Sequence, residues 1–244
     1  MEVLTNLGVL QYRIGHLAPS ERAMREGLAY YRRRLGPEHP TTVAVLQNLG
    51  AVLSEEGRYA EAEPLLREGL ALRRKVFGDS HPDVARTTRH IGLLLQRKGQ
   101  LTEAERLLRQ AVAVDRVVLP AGHPNLAEAL STLGSILTDQ HRAREAEPLL
   151  REAVAARREK HGAEDPRTLE TASLLGACVA QLGRDREAEV LLEQSYRALR
   201  ANPYAGKEFP GAAARLAAYY ERRGDPAAAA EVHRAGYPWA RKAS

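Results

Sequence analysis

Cysteine occurs once in 244 residues, at Cys178. That excludes an internal disulfide and any cysteine-rich metal site, and the pattern reads as a protein of a reducing, cytoplasmic compartment. Aromatic residues make up 5% of the chain, with one Trp and two Phe, so the core has to be aliphatic. No uninterrupted apolar stretch approaches the ~18 residues that span a bilayer, so no membrane span is expected. The opening MEVLTNLGVLQYR has neither a basic leader nor a small-residue cleavage site, and a secretory signal is not expected. No segment sustains period-two alternation, so no sheet is expected. No nucleophile-elbow, phosphate-loop, dinucleotide or zinc-hydrolase pattern is present. The reading is therefore a protein that is not an enzyme and needs no cofactor.

Charge of one sign is also missing. Lys and Arg number 36 against 31 Asp and Glu, a net charge of +5, and the signs interleave along the chain. Interleaving argues against a polyanion-binding tail. Arginine is abundant, but no stacking aromatics alternate with it, so nucleic acid is not the expected partner.

What is present is a repeat. Gly8, Gly50, Gly92, Gly134 and Gly176 stand 42 residues apart. His39-Pro40 recurs as His81-Pro82 and His123-Pro124, then as Asp165-Pro166. Glu-Ala-Glu falls at 61–63, 103–105, 145–147 and 187–189, each followed by a Leu-Leu pair. A register held by independent markers is the signature of a repeat architecture.

Each period reads as two helices. In the second, Pro40 suits the first helical turn, with His39 at the cap. Val43, Leu46, Leu49, Gly50 and Leu53 then recur at steps of three and four, to about Glu56. Gly57-Arg58 breaks the pattern. A second helix runs from about Ala60 to Val76, and Gly78 suits a C-cap with positive φ. Glu63–Arg67, Glu105–Arg109 and Glu147–Arg151 form i,i+4 pairs on a solvated face. The glycines inside first helices cost about 0.5–1 kcal/mol each against alanine. Their fixed phase implies a close crossing, for which Ala62, Ala104, Ala146 and Ala188 supply small partners.

A Leu-Gly in the first helix, an Ala in the second and a large aliphatic residue four positions later resemble the tetratricopeptide repeat. The familiar unit has 34 residues. This one has 42, and the string GPEHPTTVAVLQNLGAVLSEEGRYAEAEPLLREGLALRRKVFG is similar to the long repeats of kinesin light chains. The resemblance implies an all-α, right-handed superhelical solenoid of antiparallel helix pairs. Residues 1–200 read as five such repeats, the first incomplete at its start, which raises excision from a longer chain as one reading. Residues 201–244 read as a divergent sixth hairpin, about Glu208–Arg223 and Pro226–Ala235, closed by Tyr237-Pro238-Trp239 as a cap. Terminal repeats differ because their outer face meets water.

Two features invite chemistry that the spacing denies. Equivalent residues of stacked helices lie about 8–10 Å apart, too far for the His-Pro histidines to share a metal, so no metal site is expected. Cys178 sits in the apolar helix LLGACVAQL and reads as a small core residue rather than a reactive thiol.

In proteins with this repeat the concave face, lined by first helices, receives peptides. The resemblance carries that face to Asn6, Tyr12 and Arg13, to Gln47, Asn48 and Glu55, to Arg86, Arg89, His90 and Arg97, and to Ser131, Thr132, Ser135 and Asp139. Asn6 and Asn48 match the family's recurrent asparagine, which bonds the backbone of an extended peptide. Arg86, Arg89, His90 and Arg97 form a stripe whose planar guanidinium forks suit carboxylates. The peptide-binding set expected is Asn6, Asn48, Arg86, Arg89, His90, Arg97 and Thr132. The function expected is a noncatalytic scaffold for a peptide or protein segment, with an acidic ligand as one version. The alternatives are a homo-oligomer joined through its end repeats and a sensor array of a larger signalling ATPase.

Overall fold

Four helices open in one way. His39, His81 and His123 each accept, through Nδ1, the backbone N–H two residues on: Thr41 at 3.2 Å, Asp83 at 3.1 Å and Asn125 at 3.1 Å. Asp165 does the same with a carboxylate oxygen, from Arg167 at 2.9 Å. Proline follows at the first helical position each time. The His-Pro series is a set of N-caps, and acceptance through Nδ1 assigns the ring proton to Nε2.

The structure, a computed structural model, describes residues 1–206 and 208–235. Among them every regular element is helical. The order is α1 (Glu2–Arg13), α2 (Leu17–Leu35), α3 (Pro40–Glu55), α4 (Tyr59–Phe77), α5 (Pro82–Arg97) and α6 (Leu101–Val118), then α7 (Pro124–Asp139), α8 (Ala143–His161), α9 (Pro166–Gln181), α10 (Asp185–Ala201), α11 (Glu208–Arg222) and α12 (Pro226–Ala235). The expected cap at Tyr237-Pro238-Trp239 lies outside the described residues.

The chain divides into two compact units, Met1–Leu119 and Pro120–Ser244. In the first, α1 to α6 form three antiparallel hairpins, each helix packed on the next, and α1 also touches α3 as α3 touches α5. In the second, α7 to α12 repeat that plan, with α7 touching α9 and α9 touching α11. The division falls where the C-cap changes. Gly36, Gly78 and Gly162 close their helices with φ of +87°, +75° and +89°, whereas Leu119 closes α6 in extended conformation.

The phased glycines do mark close crossings within their hairpins. A Cβ added at Gly134 would lie 2.6 Å from Leu150 Cγ, and one at Gly92 would collide with Leu108 Cδ2. At Gly50, Gly92, Gly134 and Gly176 the nearest side chain is the second leucine of the Leu-Leu pair, whereas Gly8 meets Met24 and Ala23. Ala62, Ala104, Ala146 and Ala188 sit on the same helices, all fully buried.

Exposed ion pairs tie one second helix to the next at a spacing of 36 residues. Arg25 reaches Glu61 at 3.2 Å, Arg32 reaches Glu68 at 3.0 Å, and Arg67 reaches Glu103 at 3.2 Å. In the second unit Arg151 reaches Glu187 at 2.6 Å. Such pairs contribute at most about 1 kcal/mol each, so the aliphatic core carries the stack and the pairs help hold its register.

Candidate functional site

In the first unit α3 and α5 are packed on two sides, by their own hairpin partner and by the preceding second helix, so only a narrow stripe of each remains open; α1 has only α2 and α3 against it and is open more widely. On α3 the stripe is Ala44, Asn48, Ala51 and Glu55, and on α5 it is Arg86, His90, Leu93 and Arg97, at steps of four, three and four. On α1 the same phase carries Glu2, Asn6, Val9 and Arg13.

Placed side by side in the 42-residue register, these stripes make rows across the first unit. One row is polar: Asn6, Asn48 and His90. The next is apolar: Val9, Ala51 and Leu93, all half-buried. The third is ionic: Arg13, Glu55 and Arg97. Here Arg97 Nη2 lies 2.7 Å from Glu55 Oε2, Tyr12 Oη donates to Glu55 Oε1 at 3.2 Å, and Arg97 Nη1 donates to Ser54 Oγ at 3.4 Å.

Arg86 is held as well. Its Nη2 donates to Asp83 Oδ1 at 2.9 Å, and Arg73 from α4 lies against the other oxygen at 2.5 Å. Burial pushes the Asp83 carboxyl up, but the hydrogen bond from Arg86 and the charges of both arginines outweigh it, and the group is held below its ordinary 3.8. Arg73 Nε also donates to Gln47 Oε1 at 2.8 Å, and Gln47 Nε2 donates to Thr87 Oγ1. Both Arg73 and Gln47 are buried.

The structure therefore brings Asn6, Asn48, Arg86, His90 and Arg97 onto one face of the first unit. Arg89 does not join them. It is 2% exposed, in the phase of Gln47, Ser131 and Ser173, which are all buried. The step from His90 back to Arg89 is 100° of helix, enough to turn a side chain from the open stripe into the hairpin. Thr132 belongs to the second unit, is 6% exposed, and donates its hydroxyl to the Glu128 carbonyl of its own helix at 2.9 Å. The apolar row was missed by searching the stripe for polar residues alone; the register itself aligns Val9, Ala51 and Leu93.

Cys178 is buried, donates to the Ala143 carbonyl at 3.3 Å, and burial pushes its thiol up. Among the described residues no cluster of three or more His, Cys, Asp or Glu is placed to hold a metal. Among the same residues no helix is long and apolar enough to cross a membrane.

Comparison with known proteins bears on the same repeats. The tetratricopeptide repeat model matches residues 1–75, 42–116 and 125–201. The chain belongs to the tetratricopeptide repeat family. No match is found among curated proteins. Solved structures with the same fold include kinesin light chain TPR-like repeats from Podosopora anserina, at 25% identity and a TM-score of 0.61, covering 81% of this chain and 93% of that one. BtubC from P. vanneervenii matches at 19% identity and 0.68, covering 93% of each chain. A Rap protein complexed with Competence and Sporulation Factor matches at 14% and 0.70, over 98% of this chain and 63% of that one. The all-α solenoid of helix pairs expected from the repeat is the fold of this tetratricopeptide repeat protein.

Proposed function

We propose that this tetratricopeptide repeat protein is a noncatalytic scaffold whose first unit holds a peptide or protein segment on its first-helix face. The observation that carries this reading is the open stripe of α1, α3 and α5, where two carboxamides, Asn6 and Asn48, stand beside the half-buried apolar row. Carboxamides supply both a donor and an acceptor to a backbone that has lost water. A Rap protein of this fold is complexed with Competence and Sporulation Factor, which supports the same use of the scaffold here.

The acidic version of the ligand has less support. Arg97 already meets Glu55, Arg86 already meets Asp83, and Arg89 is buried. At Arg97 and Arg86 a ligand carboxylate would have to displace carboxylates that are in place.

The test is a photo-crosslinking residue introduced at Ala51 on the first-helix face or at Ala29 on the outer side of α2, both in the full chain. Capture of a polypeptide from Ala51 and not from Ala29 supports the reading. Equal capture from both positions contradicts it.

A second reading has an observation of its own. Val3, Leu7 and Leu10, exposed at 81%, 47% and 54%, lie on one stripe of α1 at steps of four and three, which Ile14 at the C-cap, 38% exposed, continues. Val45, Leu49 and Val52, the equivalents of the first three in α3, are buried in the stack. Self-association through this stripe predicts that light scattering gives a mass rising with concentration, and that Leu7→Glu with Leu10→Glu abolishes the rise. A constant monomer mass removes this reading.

A further inference from the structure

The apolar stripe of α1 has a counterpart inside the stack, and the way that counterpart is covered bears on what covers α1, an inference that rests on the self-association reading above. On α3 the cover over Val45, Leu49 and Val52 is the preceding helix. α2 returns through residues 36–39 to lie antiparallel on α3, and a Cβ added at its Gly27 would lie 3.6 Å from Val45 Cγ1. Val3, Leu7 and Leu10, one 42-residue period earlier, stand exposed beside an open space of the same kind. An antiparallel helix is what the fold itself lays on such a stripe.

Charge says which helix fits. Glu2 and Arg13 are the charged side chains of α1. Both are exposed, and neither side chain meets a partner within the protein. They flank the stripe at its two ends, Glu2 one residue before Val3 and Arg13 one residue before Ile14, each about 100° of helix to the same side. A second α1 laid antiparallel across the stripe sets Val3 against the partner's Ile14 and Leu7 against the partner's Leu10. The two-fold axis of such a pair brings both flanks to one side of the seam. Glu2 then stands beside the partner's Arg13 at one end, and Arg13 beside the partner's Glu2 at the other. A parallel pair would set like charges together at both ends, which is unfavourable by as much as the opposite pairs are favourable.

We infer that a second copy of this chain covers the α1 stripe, in a two-fold pair of antiparallel α1 helices whose seam is aliphatic and whose ends are closed by Glu2 and the partner's Arg13. The contact uses the same patch on both copies, so it is consumed within the pair and the assembly stops at two chains. One helix of 12 residues from each copy makes a small interface, of the kind that dissociates on dilution. Asn6 and Val9 share the flank of Glu2 and Arg13, so the first-helix faces of the two copies come out on the same side of the seam.

Thiol crosslinking of the full chain tests the geometry, because Cys178 is fully buried and does not compete. Val3→Cys and Ile14→Cys are made separately, both at exposed positions, and mixed under mild oxidation. In the antiparallel pair, two copies of either position lie about 16 Å apart along the helices, beyond disulfide reach. The mixed disulfide should therefore exceed either homodisulfide by about threefold or more. Charge reversal tests the ends. Glu2→Arg and Arg13→Glu should each weaken dimerisation by about tenfold, and the two together should restore it to within about threefold, since each substitution changes two exposed pairs per dimer. Unchanged melting temperatures verify that the variants fold. A Val3→Cys homodisulfide as abundant as the mixed one, or a double charge variant no tighter than the singles, overturns the antiparallel pair while leaving self-association in place. A mass that climbs past two chains also overturns it. A constant monomer mass removes the self-association reading, and this inference with it.

Discussion

The Arg73 guanidinium donates from Nε to the Gln47 carboxamide at 2.8 Å, joining the two helices of one hairpin inside the protein. Arg73 is 5% exposed and Gln47 is 1% exposed, so neither group has water to fall back on. The same pair of positions in the next hairpin holds Arg89 and Asp115, both buried, and in the fourth holds Ser131 and Arg157, bonded at 3.4 Å. The second, third and fourth hairpins thus hold a polar pair at this point with changing members, and the fifth replaces it by Ser173 and Leu199.

Removing both members should cost less than the sum of removing each alone. Gln47→Leu leaves the Arg73 Nε–H buried without its acceptor and should destabilise by about 1–3 kcal/mol. Adding Arg73→Met should give a double variant less destabilised than the sum of the singles, because the two share one interaction. Urea denaturation of the four proteins checks this, and simple additivity would contradict the pairing.

Steric room at the phased glycines differs along the chain. Gly134→Leu should destabilise by about 3 kcal/mol or more, since the added side chain enters space held by fully buried Leu150. For alanine the helix-propensity gain of up to about 1 kcal/mol opposes overpacking of about 1–3 kcal/mol. Gly134→Ala should therefore be the worse of the alanine variants, its Cβ falling 2.6 Å from the Leu150 branch carbon, whereas at Gly92 the Leu108 branch carbon is 3.1 Å away and only a terminal methyl lies closer. Thermal melts of the three variants rank them.

His141 breaks the turn pattern and should respond to its repair. Gly57, Gly99 and Gly183 end their first helices with φ near +75°, and His141 occupies the equivalent position at +59°. A side chain there costs about 1–2 kcal/mol. His141→Gly should raise stability by about 1 kcal/mol, read as a shift in the denaturation midpoint. A loss of stability would mean that the imidazole makes up the strain elsewhere.

Acid should remove the inter-helix ion pairs in a defined window. Glu63 is held below its ordinary 4.5 chiefly by the hydrogen bond from Lys98, and Glu147 chiefly by that from Arg184. A carboxyl with a lowered folded pKa binds fewer protons folded than unfolded. Its contribution is complete above about pH 4.5 and is lost as pH falls through the lowered value. The stability gap between wild type and a Glu63→Gln, Glu147→Gln variant should thus be constant from neutral pH to about 5 and close below that. A gap that widens in acid would reverse the sign and refute the assignment.

The sequence disclosed the hairpins closely. Pro40 and Gly57 bracket α3, which runs Pro40–Glu55 against the expected Pro40 to about Glu56, and α12 has the expected bounds Pro226–Ala235. Proline, glycine and the 42-residue markers act locally, so they are legible without coordinates. The direction of Arg89 was not, because one helical step separates it from His90 and only packing on both sides of α5 decides which is open. The pairing of Arg97 with Glu55 needed the neighbouring helix, although the alternation Arg13, Glu55, Arg97 is visible once the repeats are aligned. The Gln47–Arg73 bond offers less of a signal, since Arg89 and Asp115 replace both residues one repeat later.

The claim that matters most is that a segment lies on the first helices of the first unit. Methyl-labelled NMR of the full chain, titrated with the polypeptide captured by crosslinking from Ala51, observes it directly. The account predicts that the methyl signals of Val9, Ala51 and Leu93 shift together and saturate together. Those of Val76 and Val117, exposed on second helices, should stay in place. Shifts confined to Val76 and Val117, with Val9, Ala51 and Leu93 unmoved, would contradict it.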